Sequence, residues 1–472
     1  MQRLSRYYNI MKKFVLAVSI VFCVILTGFS QTKSDAALRL ISEKDRTNRD
    51  STGKLLALTA AEHLYRADVY STNRHFPQAR EHWQKILDLY PNDAGMPQTL
   101  FGIARSYMWE RQYEKAVYFF DLLTKDHLGT KDGREGLAFK GASYVRMGKN
   151  NEAAATYQQY ITMFPFGERV ESAHLNTIDA LREAGRYQEA EVWVEKASKR
   201  FAGMPAQVNA LHAGLRMEIY RQNWSEAIKD ADMLLALGNF GGAMAGSDEV
   251  KYLKGVALEN SGRKPEAVSA YTSIPVNLMS YYSGLAYERL LKLNPAGSPV
   301  RPISLVTPRM AGDYPAPYRA ELLRSAKTRG IDPRFVLAIM KQESSFRPAA
   351  KSPSAARGLL QLVYDTAIKY NKRAGYPSLV ADDLYAPSTN IAIGSLYIAD
   401  LKDQFGGLYE AIAASYNGGE DNAARWLNRS KPKEAGLFTA EIGFAETKNY
   451  VFKVMTNYRV YCALYTEDLI RR

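Results

Sequence analysis

Histidine is absent from the last third of this chain: His63, His75, His82, His127, His174 and His212 all precede residue 213. Cysteine is almost absent too, and residues 301–472 contain only Cys462. These gaps exclude a Ser-His-Asp triad, a Cys-His pair and an H-E-x-x-H zinc site within that segment. What the segment does contain is Lys341-Gln342-Glu343-Ser344-Ser345-Phe346, then Gly358-Leu359-Leu360-Gln361-Leu362, then Ser415-Tyr416-Asn417-Gly418. An enzyme made from these residues relies on a carboxyl group helped by amides and phenols, which points to glycoside chemistry.

The second cysteine, Cys23, lies in an apolar run from Phe14 to Leu26. Arg3, Arg6, Lys12 and Lys13 precede the run, and Gly28-Phe29-Ser30 follow it. This reads as a secretory signal over residues 1–30, with an internal start at Met11 or retention as an anchor as alternatives. The run is short for a membrane span. The expected location is therefore the periplasm or cell envelope, with no stable transmembrane insertion after signal cleavage. Only Cys462 then remains, so no intrachain disulfide is available. Loss of four positive charges from the net +13 leaves about +9. That charge suits a polyanionic partner, and an export signal favours the carboxylate-rich wall over nucleic acid. Neither a metal nor a cofactor is expected.

Upstream lies a repeat. Ala79, Ala116, Ala153, Ala190 and Ala227 recur every 37 residues, and Ala267 follows after 40. Glu152, Glu189, Glu226 and Glu266 directly precede four of them. Tyr70, Tyr107 and Tyr144 stand nine residues before the first three, and Trp83, Phe120 and Tyr157 four residues after. A small residue at helix contact, flanked by aromatics and closed by Pro91 or Pro165, describes a helix hairpin. The units look like tetratricopeptide repeats. They are expected to stack as an α-solenoid domain over 31–273, with hairpins from about residue 57. The aromatic stripe reads as core packing.

A linker over 274–312 is expected to hold one helical segment, Met279 to Leu293, followed by Pro295, Gly297, Pro299, Pro302 and Pro308, which break regular structure. An all-α domain over 313–472 follows. Asp332 is read as an N-cap and Pro333 as the first helical residue. Val336, Ile339, Met340 and Glu343 then share one face. A carboxylate completing an apolar stripe either pairs with a cation or stays protonated at neutral pH, as a general acid must. Gly394 marks close packing on the helix opened by Pro387-Ser388, and Leu408–Tyr416 delivers a phenol at a helix end. Residues 314–472 are expected to hold a core of their own.

Glu343-Ser344-Ser345-Phe346, Ser352-Pro353, Gly358-Leu359-Leu360-Gln361-Leu362, Ala414-Ser415-Tyr416-Asn417-Gly418 and Glu446-Thr447-Lys448-Asn449-Tyr450-Val451 together resemble, in order and spacing, the soluble lytic murein transglycosylase family. The likeness covers about residues 313–466. It implies a goose-lysozyme-like catalytic fold behind an α-superhelical region. It also implies cleavage of the bond between N-acetylmuramic acid and N-acetylglucosamine, with 1,6-anhydromuramic ends as product. The family's acid/base falls on Glu343, and Ser352, Gln361, Tyr416, Asn417, Glu446 and Tyr450 would line or support the glycan groove. Leu360 stands where the family usually has methionine, and Val363-Tyr364 where it usually has Met-Pro. Both departures are expected to alter groove lining, and Tyr416 is expected to orient the Glu343 carboxyl. Peptidoglycan strands are the implied substrate, and the solenoid could bind envelope proteins. The alternatives are a lysozyme-like hydrolase, for which Asp365, Glu420 and Asp421 are candidate second carboxylates, and a non-catalytic wall-binding scaffold.

Overall fold

A computed structural model describes residues 36–293 and 299–472. The expected signal over 1–30 lies outside the described residues, as do Pro295 and Gly297. No described segment forms a named strand, so the protein is all-α, and none of the described helices is long and apolar enough to cross a membrane. The chain divides into two compact units. One is the chain up to Leu123 together with Lys351–Arg357; the other is Thr124–Ala350 with Gly358–Arg472.

The repeat alanines account for the paired helices. Ala79, Ala116, Ala153, Ala190, Ala227 and Ala267 are all fully buried, one in the second helix of each hairpin. The four glutamates that precede repeat alanines occupy the first turns of those second helices, where a negative side chain meets the positive end of the helix dipole. In the first unit Ala60–Thr72, Phe76–Leu89 and Met96–Trp109 pack in sequence. In the second, the pairs from Lys131–Arg146 to Lys264–Thr272 do the same, as an α-solenoid. Aromatics fill the gaps: Tyr157 presses on Gly141, where a Cβ would come within 2.7 Å of the ring.

Some of the histidines serve this scaffold. In the first unit Leu58 N–H donates to His63 Nε2 at 3.1 Å, His63 Nδ1 meets His82 Nδ1 at 2.9 Å, and His82 Nε2 reaches Asp45 at 2.9 Å. Burial pushes the His63 pKa down to about 4, so the chain of rings is neutral at physiological pH.

The linker differs from expectation in one respect. Pro302 and Pro308 open short helical turns, Pro302–Leu305 and Pro308–Ala311, because the first helical position needs no N–H. The helix Tyr281–Leu293 precedes them. Its Tyr281 donates to Glu410 at 3.0 Å, and Tyr282 donates to the Gly436 carbonyl at 3.3 Å.

The carboxy-terminal core gathers around the helix Pro333–Ser344. Asp332 caps it through Arg334 N–H at 2.9 Å. The expected single stripe is instead burial on all sides: Phe335 through Met340 are each 0 % exposed. A helix apolar all round belongs at the centre of a domain, and this one packs against the last helix, Ala445–Leu464.

Buried ion pairs tie this core to the later repeats of the same unit. Arg182 holds Glu441 with two bonds, 2.9 and 2.6 Å, and Arg216 adds a third at 2.8 Å. Arg429 reaches Asp179 at 2.7 Å, and Lys448 donates to Glu249 at 2.6 Å, both ends nearly solvent-free. Buried charges are tolerated only when paired in this way.

Candidate active site

Glu343 lies in the last turn of its central helix. The chain leaves through two left-handed residues, Ser345 at φ 49° and Phe346 at φ 63°. Non-glycine residues in that region cost roughly 1–3 kcal/mol each, so the surrounding packing must impose the exit. Ser344 helps, donating from Oγ to the Leu359 carbonyl at 2.8 Å, which pins the helix end to the glycine-leucine loop.

That loop is held from behind by Asn390. Its Oδ1 accepts Leu360 N–H at 2.8 Å and its Nδ2 donates to Leu384 O at 2.8 Å. Gly358 has φ 79°, and a Cβ there would lie 2.2 Å from Leu384 O and 2.3 Å from Asn390 Nδ2. Gly358→Ala is therefore expected to destabilise the fold by more than about 2 kcal/mol and to reduce activity with it. A thermal melt of the variant that overlays the wild type would refute this account. Gln361, also at positive φ, donates to the Gly358 and Ala350 carbonyls at 2.8 and 3.0 Å; its amide nitrogen shapes the loop.

The carboxyl has a side-chain partner on the last helix. Tyr450 Oη donates to Glu343 Oε1 at 2.6 Å. Glu343 keeps some contact with solvent, as a group that must reach substrate needs, but dense packing denies its carboxyl full hydration. Burial pushes its pKa up to about 7; the Tyr450 bond opposes the rise and the Glu446 charge adds to it. Tyr450 is itself buried, which holds its phenol protonated well above the usual range and keeps it a donor.

Tyr416 does not orient the carboxyl as expected. Its hydroxyl donates to the Leu360 carbonyl at 2.6 Å, and the last helix supplies the other phenol in its place. Burial, with the Glu343 charge adding to it, holds the Tyr416 phenol protonated well above its usual range, and Tyr416 continues a row of rings, 5.4 Å from Tyr397, which is 5.6 Å from Tyr370. Asn417 is exposed, its Oδ1 accepting from Thr447 Oγ1 at 2.6 Å, and Glu446 is exposed one turn before Tyr450. Leu360, where a departure in groove lining was expected, is fully buried against Gly394, whose Cβ would lie 2.4 Å from it. That substitution is a core change. Ser352 belongs to the 351–357 segment of the first unit, where its Oγ accepts Ala356 N–H at 3.1 Å.

Glu343, Gln361, Tyr416, Glu446 and Tyr450 are thus linked in one site through direct bonds, the loop or electrostatics. Asn390 and Tyr397 were missed by sequence reasoning; an amide beside Ile391 on a core helix was the available signal for Asn390. The arrangement is an all-α, imidazole-free site with one proton-bearing carboxyl, the type that serves single acid/base glycan chemistry.

Residues 322–438 match the transglycosylase SLT domain, and residues 140–205 match a tetratricopeptide repeat. The match to the transglycosylase SLT domain lies within the carboxy-terminal domain, and the curated relatives it resembles are lytic murein transglycosylases. The soluble lytic murein transglycosylase of Escherichia coli K12 is 34% identical over 146 residues, which are 30% of this chain and 22% of that protein. Membrane-bound lytic murein transglycosylase C of Yersinia pestis is 33% identical over 164 residues, 29% of this chain and 45% of its own. The matched stretch thus spans less than half the length of either curated relative. Over the fold, a lytic transglycosylase from Pseudomonas aeruginosa, solved as an inactive glutamate-to-glutamine mutant, aligns with a TM-score of 0.50 at 16% identity, covering 92% of this chain and 86% of that one.

Proposed function

We propose that this chain cleaves the β-1,4 bond between N-acetylmuramic acid and N-acetylglucosamine in peptidoglycan without hydrolysis, with Glu343 as acid and then base. The observation that carries the reading is a carboxyl held half-protonated near neutrality by burial and touched by a phenol at 2.6 Å. Protonated Glu343 gives its proton to the glycosidic oxygen as the muramoyl C1–O bond breaks. The glucosamine leaves with a hydroxyl, and the substrate's acetamido oxygen stabilises the cation at C1. The Glu343 carboxylate then removes the proton of the muramoyl C6 hydroxyl as O6 bonds to C1. Glu343 ends ionised once and protonated again, and the product is a 1,6-anhydro ring. The tethered hydroxyl outcompetes water because its effective concentration is far higher. Exposed Asn417 and Glu446 would face the strand, and action on peptidoglycan would place the chain in the cell envelope.

Mass analysis of products released from sacculi in ¹⁸O-labelled water tests this. The expected ends are anhydromuramic, about 18 mass units lighter than hydrolysed ones by loss of one water, with no label. Labelled reducing ends as main product would instead establish a lysozyme-like hydrolase. Asp365, Glu420 and Asp421 are the candidate second carboxylates of that reading, joined by Glu446, whose charge acts on Glu343.

Tyr450→Phe separates positioning from bulk packing. The lost bond is one that lowers the Glu343 pKa, so the pKa rises further. The acid form starts the reaction, so activity falls as pH climbs through that pKa. The alkaline limb of kcat/KM should move to higher pH while the maximal rate drops roughly tenfold. An unmoved limb would remove Tyr450 from the site.

A further inference from the structure

The last helix, Ala445–Leu464, belongs to two cores at once. Tyr450, Val451 and Val454 pack into the carboxy-terminal core, whereas Phe452 packs against the core that holds the later repeats and the linker helix. The Phe452 ring centroid lies 5.3 Å from that of Tyr281 and 5.7 Å from that of Tyr282. Lys448 stands four residues before Phe452 and so shares its side of the helix. Tyr450 stands two residues after Lys448, which turns it to nearly the opposite side. Lys448 Nζ donates to Glu249 Oε1 at 2.6 Å, the two side chains being 2% and 1% exposed. Tyr450 Oη donates to Glu343 Oε1 at the same 2.6 Å. One helical turn is thus bonded to the solenoid on one side and to the catalytic carboxyl on the other.

Glu249 is well placed to hold its end. It lies in the first turn of the helix Ser247–Asn260, where the helix dipole favours a carboxylate. His212 Nε2 lies 2.9 Å from the same Oε1, and burial pushes the His212 pKa down to about 4, so that ring is neutral near pH 7. The Tyr282 phenol faces Glu249, and Arg216 and Glu441 act on Lys448. An apolar contact is non-directional and lets a helix roll slightly, but a short charge-assisted bond fixes a distance and a direction. A further anchor of the turn, Thr447 Oγ1 donating to Asn417 Oδ1 at 2.6 Å, ends on an exposed residue. The buried pair holds the turn from the solenoid side.

We propose that Glu249 is a positioning residue for Glu343: through Lys448 it fixes the roll of the last helix and so keeps Tyr450 within donor range of the carboxyl. The reaction served rests on the proposed cleavage activity; the positioning itself does not. The sign of the effect separates positioning from a direct field. Glu249→Gln removes a negative charge, and its field alone would lower the Glu343 pKa. Weakening the Tyr450 bond raises that pKa, because the bond lowers it. The groups that face Glu343 stay the same: Glu446 and Tyr450 of the last helix, and Tyr416 of Tyr409–Gly418.

The test is an infrared pH titration of the full chain, following the protonated carboxyl band that Glu343→Gln abolishes, beside the pH profile of kcat/KM on sacculi. Glu249→Gln should move the Glu343 titration and the alkaline limb upward together by about half a pH unit. Its maximal rate should fall by less than the roughly tenfold expected of Tyr450→Phe. Glu249→Gln leaves Lys448 buried without its carboxylate, so the chain carrying both Glu249→Gln and Lys448→Met, which removes both charges, is measured as well. The same upward move is expected of it, and it decides the matter if the single variant does not fold. With Tyr450→Phe also present, neither change should move the titration upward, since both act through that hydroxyl. A folded variant whose titration stays in place or moves down overturns the proposal, as does an equal upward move in the Tyr450→Phe chain. If the wild-type chain cleaves no peptidoglycan while the titrations move as expected, the cleavage reading fails and the positioning role stands.

Discussion

Replacing Glu343 by glutamine is expected to lower peptidoglycan cleavage on the order of 10²-fold or more, because glutamine keeps the shape and cannot supply a proton. The same change should leave stability intact or improve it, and the sign depends on pH. The folded pKa of about 7 lies above the ordinary 4.5, so the native state holds its proton more tightly than the unfolded one. Rising pH therefore costs the wild type stability between those values, and the cost is complete above about 7. The glutamine variant should melt at an equal or higher temperature at pH 8, with the difference gone at pH 4. Near wild-type clearance of sacculi by the variant would eliminate Glu343 as acid/base. A lower melting temperature at pH 8 would show that the carboxylate form is a structural asset.

The second large effect is expected at Glu441. Glu441→Gln leaves Arg182, Arg216 and Arg429 clustered in the interior with one carboxylate fewer. Removing one partner of a buried pair typically costs about 3–5 kcal/mol, a large share of the roughly 5–15 kcal/mol that holds a domain folded. Burial alone would raise the Glu441 pKa, but the three guanidiniums outweigh it and hold the carboxyl below its usual range. Its contribution is thus fully present above the unfolded carboxylate pKa and is lost as pH falls through the depressed folded value. A variant with an unchanged melting temperature at pH 7 would contradict the argument. The same pairs revise an expectation drawn from sequence. Residues 314–472 do gather their own apolar core, yet that fragment alone would carry Glu441 and Lys448 without Arg182, Arg216 and Glu249. It is expected to be poorly folded; a soluble fragment with native-like melting would refute this.

These cases show where a sequence is readable. The alanine period was legible because a helix contact tolerates only a small side chain, so the constraint repeats with the structure. Glu343 was legible because a carboxylate ending an apolar run has few ordinary explanations. Which phenol touches it was not, since Tyr416 and Tyr450 stand on different helices and spacing along one helix says nothing about rotation between two. Lys448 illustrates the same limit. It sits inside the motif read as groove lining, while its side chain serves Glu249, 199 residues away. Leu360 is the converse, a motif residue whose side chain turned inward and whose backbone does the site's work. Pairings over such separations depend on how helices stack, which no local pattern encodes.

The place of Glu343 on its helix has a further consequence. The last turn of a helix ends in carbonyl groups with no amide partner further along, and their aligned dipoles create a negative pole worth about 0.3–1 kcal/mol against a nearby carboxylate. Glu343 lies one residue from the end of Pro333–Ser344, at that pole. Backbone geometry thus favours retention of the proton independently of the surrounding side chains. That small share of the shift is independent of which side chains surround the acid, whereas the larger share from burial changes with them. An acid transplanted to the opening turn of the same helix would meet the opposite pole and lose that inheritance.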